Sequence, residues 1–312
     1  MIYSTVFGPV RSGRLGISLG LDLLGAPICS MDCLYCEVGP TRTLTRQRRA
    51  YVPAARVLGE LAAWKRDNPA PEVITLGGLG EPCLNSEMAE ILAGARALFP
   101  NLPLAVLTNS TALADPEVRR ELSGADVVLP SLDSLVESEF SAVNRPASGI
   151  TAAGVAESIL ALRAGFSGRI CLEVLLCAGV NDSAENLALL TDYVARLRPE
   201  RTDVVTLSRP GAHPGARAAG DATLARFREA LGAGEPERVD RQAEAGRTPL
   251  TENEFREIVS NSLRRRPQTP GQISDAMGVP EERVRTLLQQ MEQSGAVTCN
   301  NGFYALTGIF TA

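Results

Sequence analysis

The β-forming run Gly16-Ile17-Ser18-Leu19-Gly20-Leu21-Asp22-Leu23 leads, a few residues on, into the loop Cys29-Ser30-Met31-Asp32-Cys33-Leu34-Tyr35-Cys36. Three thiolates from one loop can each hold a different iron of a cubane cluster, whereas an ordinary electron-transfer cluster is closed by four cysteines. Three without an obvious fourth leave one iron open for an exchangeable ligand. A structural zinc site would call for four ligands, usually as paired Cys-x-x-Cys or Cys/His elements, and the only histidine, His213, is remote in sequence. Three unrelated core cysteines are the other alternative. Their tight spacing in one loop favours metal ligation by Cys29, Cys33 and Cys36.

Working outward, β-rich runs stand at 15–23, 72–77, 103–108, 125–130, 169–177 and 203–208, each followed by a helical pattern. That alternation predicts an α/β protein of parallel strands with helical crossovers. Helix starts are signalled by Asp115-Pro116, a cap before a proline at the first helical position, and by Asp182-Ser183 and Asp221. In the fifth run Ile170, Leu172, Val174 and Leu176 make an aliphatic face that belongs under helices. Cys171, Glu173, Leu175 and Cys177 make the opposite face, which should look into an interior where chemistry can occur.

Residues 211–246, rich in Ala, Gly, Pro and Arg, read as a closing element and linker with a helix near 221–231. Beyond them, helices are expected at 252–264, 270–277 and 280–293, then a hairpin turning at Asn301-Gly302. Three helices and a hairpin predict a winged-helix domain over 248–312, beside a main domain of 1–245. In the tail seven acidic residues face six arginines, so the domain has no positive excess to neutralise phosphate. Glu281 and Glu282 open its third helix, which further argues against sequence-specific DNA binding. The triplet Arg264-Arg265-Arg266 is the counterweight and could grip an RNA backbone.

At 312 residues and 45% hydrophobic the chain can bury a sizeable core, and a net charge of -5 gives no general drive toward nucleic acid or anionic membrane. The start, Met1-Ile2-Tyr3-Ser4, lacks a basic, apolar leader, and no apolar run is long enough to span a bilayer. A cytoplasmic protein is therefore expected, in which seven cysteines serve as ligands, active-site thiols or core residues.

The Cys-x3-Cys-x2-Cys loop, with aromatic Tyr35 before its last cysteine, resembles the signature of the radical S-adenosylmethionine superfamily. The wider stretch Phe7-Gly8-Pro9-Val10-Arg11-Ser12-Gly13-Arg14-Leu15-Gly16 and the run Cys36-Glu37-Val38-Gly39 resemble its wyosine-synthase-like branch. The resemblance implies a partial (β/α)6 barrel with the cofactor at the C-terminal strand ends. It also implies a 4Fe-4S cluster whose open iron chelates S-adenosylmethionine and whose electron comes from a flavodoxin- or ferredoxin-type reductant. Cleavage would give a 5′-deoxyadenosyl radical that abstracts hydrogen from substrate.

The same resemblance assigns cofactor contacts. Gly78-Leu79-Gly80-Glu81-Pro82 is similar to the family's GxGEP form, which takes the methionine amino group, with Glu81 fixing the turn. Asn109, Ser131 and Asp133 stand at strand ends near the ribose, although Asp133 could equally cap a helix. Glu173, a carboxylate on an apolar strand, needs a partner that the cofactor would provide. Arg42, Arg46, Arg48 and Arg49 form a basic loop at the site's mouth, either solvated or meeting substrate phosphate or carboxylate. Cys83 and Cys177 are candidates for a thiol hydrogen donor, with packing as the plainer reading. The substrate would be a small molecule or tRNA; a maturase acting on a peptide or protein is the alternative, and an iron-sulfur winged-helix regulator the third.

Overall fold

The computed structural model describes residues 3–234 and 251–308. An edge hairpin comes first, β1 (Val6–Ser12) turning back antiparallel into β2 (Gly16–Leu21). Within the cysteine loop β3 (Ile28–Cys29) pairs parallel with β4 (Thr43–Leu44). Helices and strands then alternate through α1 (Ala54–Asp67), β5 (Val73–Leu76), α2 (Met88–Leu98), β6 (Leu104–Thr108), α3 (Pro116–Glu121) and β7 (Val127–Pro130). The series continues with α4 (Glu137–Asn144), α5 (Ala152–Gly165), β8 (Arg169–Leu176), α6 (Ala184–Leu197), β9 (Arg201–Thr206) and α7 (Asp221–Ala230).

The sheet runs β1-β2-β5-β6-β7-β8-β9, parallel throughout except for its first pair. The six runs read from sequence are β2 and β5 to β9. The unexpected strand is β1, whose Gly8-Pro9 argues against a strand. Proline is tolerated there because β1 is an edge, and the register slips between Phe7 and Val10. Asp115 caps α3 ahead of Pro116, as expected, while Ser183 and not Asp182 caps α6.

The two faces of β8 separate as its alternation predicts. Ile170, Leu172, Val174 and Leu176 join the main apolar core with α1, α2, α5 and α6, whereas Cys171 packs with Val73, Ala105, Val127 and Leu129. The sheet curls over that second face. Arg14, in the β1–β2 turn, pairs with Glu173 of β8, and Arg201 Nη1 of β9 donates to Arg14 O at 3.1 Å, so opposite edges of the sheet meet.

The tail forms α8 (Glu252–Leu263), α9 (Pro270–Met277), α10 (Glu281–Gln293), β10 (Val297–Asn300) and β11 (Phe303–Leu306). Asn301 (φ 50°) and Gly302 (φ 82°) supply the two left-handed residues that a tight hairpin needs. Phe255, Val259, Leu263, Ile273, Val284 and Leu288 make an apolar cluster separate from the main core. The expected boundary between 245 and 248, and residues 235–246 of the linker, lie outside the described residues. The arginine triplet is not a free phosphate grip, since Arg265 is buried, Arg266 is half-buried and only Arg264 is exposed. Among the described residues no helix is long and apolar enough to cross a membrane.

One carboxylate pins the edge strand. Glu60 of α1 accepts from Ser4 N (2.8 Å), Ser4 Oγ (2.6 Å), Thr5 N (2.7 Å) and Thr5 Oγ1 (2.8 Å). Burial works to raise its carboxyl, but these donors outweigh burial and hold it below the ordinary glutamate value. A depressed carboxyl stabilises the fold above its unfolded value and loses that contribution as the pH falls through the folded one. Glu60→Gln is expected to cost ~2 kcal/mol at pH 7, the scale of hydrogen bonds to a charged group. The deficit should shrink as the pH falls below about 4. Urea unfolding across pH 3–7 checks both, and a deficit independent of pH would show that the charge plays no part.

Candidate cluster and cofactor site

Cys29, Cys33 and Cys36 lie half-buried on the loop that leaves β2. Amide side chains address two of their sulfurs, Asn109 Nδ2 at 3.2 Å from Cys29 Sγ and Asn144 Nδ2 at 3.6 Å from Cys33 Sγ. Such donors stabilise metal-bound thiolate and tune its potential. Burial pushes the thiols up, Cys29 to about 12 and Cys36 to about 11, so the thiolate form belongs to a metal-bound state. Among the described residues no three His, Cys, Asp or Glu side chains close on a single ion. A cubane cluster places each thiolate on its own iron and does not require that convergence. Three sulfurs, two of them with amide donors behind them, thus fit a four-iron cluster.

The loop is held by carboxylates at strand ends. Asp22, fully buried after β2, accepts at Oδ1 from Leu24 N (3.1 Å), Gly25 N (3.3 Å) and Leu79 N (3.4 Å). Glu81, 2% exposed after β5, accepts at Oε1 from Cys83 N (3.0 Å) and Thr108 Oγ1 (2.8 Å), and at Oε2 from Asn109 N (2.6 Å). It therefore locks the glycine loop to the end of β6. Asp133, 1% exposed after β7, accepts at Oδ2 from Tyr35 Oη (2.5 Å) and Asn144 Nδ2 (2.6 Å), and at Oδ1 from Leu175 N (2.8 Å). Burial pushes all three carboxyls up, and these donors pull them back.

Gly78, Gly80, Glu81, Asn109, Ser131 and Asp133 thus gather at the C-terminal ends of β5, β6 and β7, with Tyr35 tied to them through Asp133. Two of the glycines face protein at close range. A Cβ on Gly80 (φ 141°) would fall 1.9 Å from Ile28 O, and one on Gly78 (φ 124°) 3.0 Å from Asp22 Cβ. The glycine loop is thereby seated against the backbone that enters the cysteine loop. Ser131 bridges to Glu173 across β7 and β8.

Several sequence expectations need correction. Asp133 does not cap a helix, because α4 starts at Glu137 with Val136 as its cap residue; its carboxylate serves Tyr35, Asn144 and β8. Glu173 has a partner within the chain, Arg14, supplied by the curl of the sheet. His213, remote in sequence, lies beside the cysteine loop with Nε2 2.9 Å from Asp32 Oδ2, close enough for an ion pair when protonated. In the basic loop Arg48 is structural, donating to Cys83 O at 2.9 Å and pairing with Glu121. Arg42, Arg46 and Arg49 are exposed, Arg49 lying 4.6 Å over Tyr51. Cys83 is buried in the main core, which is the packing reading, and Cys177 is also fully buried, its thiol pushed by burial to about 12.

Sequence reasoning missed Asp22, Asn144, Arg14 and Glu37. Asp22 had a signal, a carboxylate inside the apolar run Leu21-Asp22-Leu23. Asn144 had none, because its reach to Cys33 crosses more than a hundred residues.

The Gly80 contact is testable. Gly80→Ala should lower stability by ~1–3 kcal/mol and reduce iron incorporation by displacing Ile28 and Cys29. Gly59→Ala, in α1 with open space around its Cβ, should be neutral or stabilising. Chemical denaturation with iron quantification measures both, and normal loading of the Gly80 variant would separate the glycine from the cluster loop.

Comparison with known proteins agrees with this geometry. Residues 23–191, more than half of the chain, match the Radical SAM superfamily. A protein named GTPase Obg from Brachyspira hyodysenteriae is 30% identical over 297 residues, 94% of this chain and 43% of the relative. A UPF0026 protein of Synechocystis sp. is 36% identical over 212 residues, 67% of this chain and 77% of the relative. The structure of Streptococcus suis SuiB bound to precursor peptide SuiA aligns with TM-score 0.52 at 17% identity, covering 68% of this chain and 45% of that one, a likeness of fold. This chain therefore spans less than half of the first relative and of SuiB. With a family match that covers the cysteine loop and strands β5 to β8, the chain belongs to the Radical SAM superfamily.

Proposed function

We propose that this chain is a radical S-adenosylmethionine enzyme, in which Cys29, Cys33 and Cys36 hold a 4Fe-4S cluster with one iron open to the cofactor. The superfamily uses that cluster and S-adenosylmethionine. The observation that carries the reading is the cysteine loop itself, seated by Glu81 and Asp133 on the strand ends with Asn109 and Asn144 donating to two of its sulfurs. Reduced by a flavodoxin- or ferredoxin-type donor, the bound cluster supplies the electron that cleaves S-adenosylmethionine and initiates hydrogen abstraction from substrate.

The chain's own residues position and shield that chemistry. Glu81 keeps the glycine loop against Ile28, presenting backbone polar groups of Gly78 and Gly80 beside the thiols. Asn109 and Ser131 offer polar side chains at the ends of β6 and β7, the place where parallel sheets bind ligands. The apolar cluster of Val73, Ala105, Val127, Leu129 and Cys171 fills the interior beneath those strand ends.

The finer architecture in this reading is a partial (β/α)6 barrel over 1–245 and a winged helix over 248–312. Six parallel strands and the Arg14–Glu173 contact across the curled sheet support the first. The second is supported by a separate apolar cluster, three helices with a hairpin, and the bridge between Gln268 and Tyr304. The runs around Phe7 and Cys36 support the wyosine-synthase-like branch. The enzyme would work in the cytoplasm on a small molecule or tRNA.

Anaerobically reconstituted protein should convert S-adenosylmethionine to 5′-deoxyadenosine and methionine when reduced. The triple variant Cys29→Ala, Cys33→Ala, Cys36→Ala should lose both iron and turnover; a variant that kept full cluster occupancy would overturn the assignment. Asn109→Ala should keep the cluster yet show a more negative midpoint potential, since one donor to sulfur is gone. Potentiometric titration followed by electron paramagnetic resonance reads that shift, and an unchanged potential would limit Asn109 to holding the loop.

A further inference from the structure

Two consecutive arginines after α8 reach opposite flanks of the cysteine loop. Arg265 is 6% exposed; its Nη2 donates to Ser4 O at 3.0 Å, its Nη1 to Asn261 O at 2.9 Å, and its guanidinium lies 4.4 Å from the Phe7 ring centre. Asp22 meets the same segment of chain, its N–H donating to Thr5 O at 2.7 Å. Asp22 Oδ2 and Arg265 Nε are both buried without a hydrogen-bond partner. Burial raises the Asp22 carboxyl and lowers the Arg265 guanidinium, and each draws the other back toward its charged form.

Arg266 grips the other flank. Its Nη1 donates to Glu37 Oε2 at 3.4 Å, and Arg209 Nη1 donates to the same oxygen at 2.7 Å while its Nε donates to Gln272 Oε1 of α9 at 3.1 Å. Glu37 directly follows Cys36, and Asp22 orders Leu24 and Gly25 ahead of Cys29 and Leu79 in the glycine loop.

From this geometry we infer that Arg265 and Arg266 are positioning residues that clamp the two flanks of the cysteine loop, so that the C-terminal elements set the shape of a cluster site they do not line. This deepens the reading of the loop as a cluster site and rests on it. A simple adhesive contact would not need both flanks. The Ser4–Thr5 segment passes the hold of Arg265 to Asp22, whose N–H donates to Thr5 O, and so to the cysteine and glycine loops, while Glu37 passes that of Arg266 to Cys36.

The full-length apo-protein tests the clamp through the reaction of Cys29, Cys33 and Cys36 with a thiol reagent, followed by mass spectrometry. Arg265→Met and Arg266→Gln should each speed their labelling about five-fold, the effect of weakening the loop's hold by a modest contact. Arg265→Lys should recover part of the protection, and Arg264→Gln, at the exposed neighbour, should label like wild type. In reconstituted protein the Arg265→Met variant should also alter the cluster's electron paramagnetic resonance signal with S-adenosylmethionine. Should Arg265→Met fail to fold, Glu37→Gln on the half-exposed flank must still speed labelling at Cys36. Wild-type labelling rates in folded Arg265→Met and Arg266→Gln, or in Glu37→Gln, would overturn the clamp. Faster labelling in a protein whose wild type loads no cluster would keep the clamp and reject the function.

Discussion

Three carboxylates taken out of water, Asp22, Glu81 and Asp133, hold in place a loop that has almost no regular structure of its own. A cluster-bearing loop cannot be anchored mainly by apolar packing, because its thiols must stay turned toward the metal. Its backbone donors need other acceptors, and a buried donor left unsatisfied costs about 1–3 kcal/mol. Asp22 at the end of β2 accepts from Leu24 and Gly25 of the loop, Glu81 and Asp133 at the ends of β5 and β7 hold Asn109, Asn144 and Tyr35 around it, and each carboxylate ties two or more separate segments to a single point. The cost is the burial of charge, visible in the upward pull on all three carboxyls.

The remaining architecture follows from where those strand ends lie. Parallel strands bring Gly78 to Glu81, Thr108 to Ser110 and Ser131 to Asp133 to one end of the sheet, and the approach of Gly80 to Ile28 brings the cysteine loop onto that end. The β1–β2 hairpin then does two things. Its turn crosses to Glu173 and Arg201 on the far edge, and its outer strand offers Phe7 and Ser4 to Arg265. The C-terminal elements therefore meet the main sheet at its edge strand β1 and touch the loop's own flank at Glu37.

What was legible in the sequence was whatever leaves a local pattern. Period-two alternation marked both faces of β8, Pro270 and Met277 bounded α9 to the residue, and Asn301-Gly302 marked the final hairpin. The thiol spacing pointed to Cys29, Cys33 and Cys36 as candidate ligands because all three sit in one short loop. Partners brought together by the fold left no such trace. Glu173 was recognised as a buried carboxylate in need of a partner, but Arg14 is far away in sequence and meets it only when the sheet curls. Asp133 could equally have capped a helix because a helical pattern follows it, yet its oxygens answer to Tyr35, Asn144 and Leu175. The arginine triplet read as a grip for an RNA backbone, because nothing local tells that two of its members turn inward.

The most direct measurement is Mössbauer spectroscopy of the iron-57-reconstituted protein before and after addition of S-adenosylmethionine. Three cysteine ligands and one open position predict a four-iron cluster in which the cofactor shifts one iron away from the other three. A cluster whose irons are all unaffected by S-adenosylmethionine, or iron bound only as isolated ions, would contradict the reading of Cys29, Cys33 and Cys36 as a three-thiolate site.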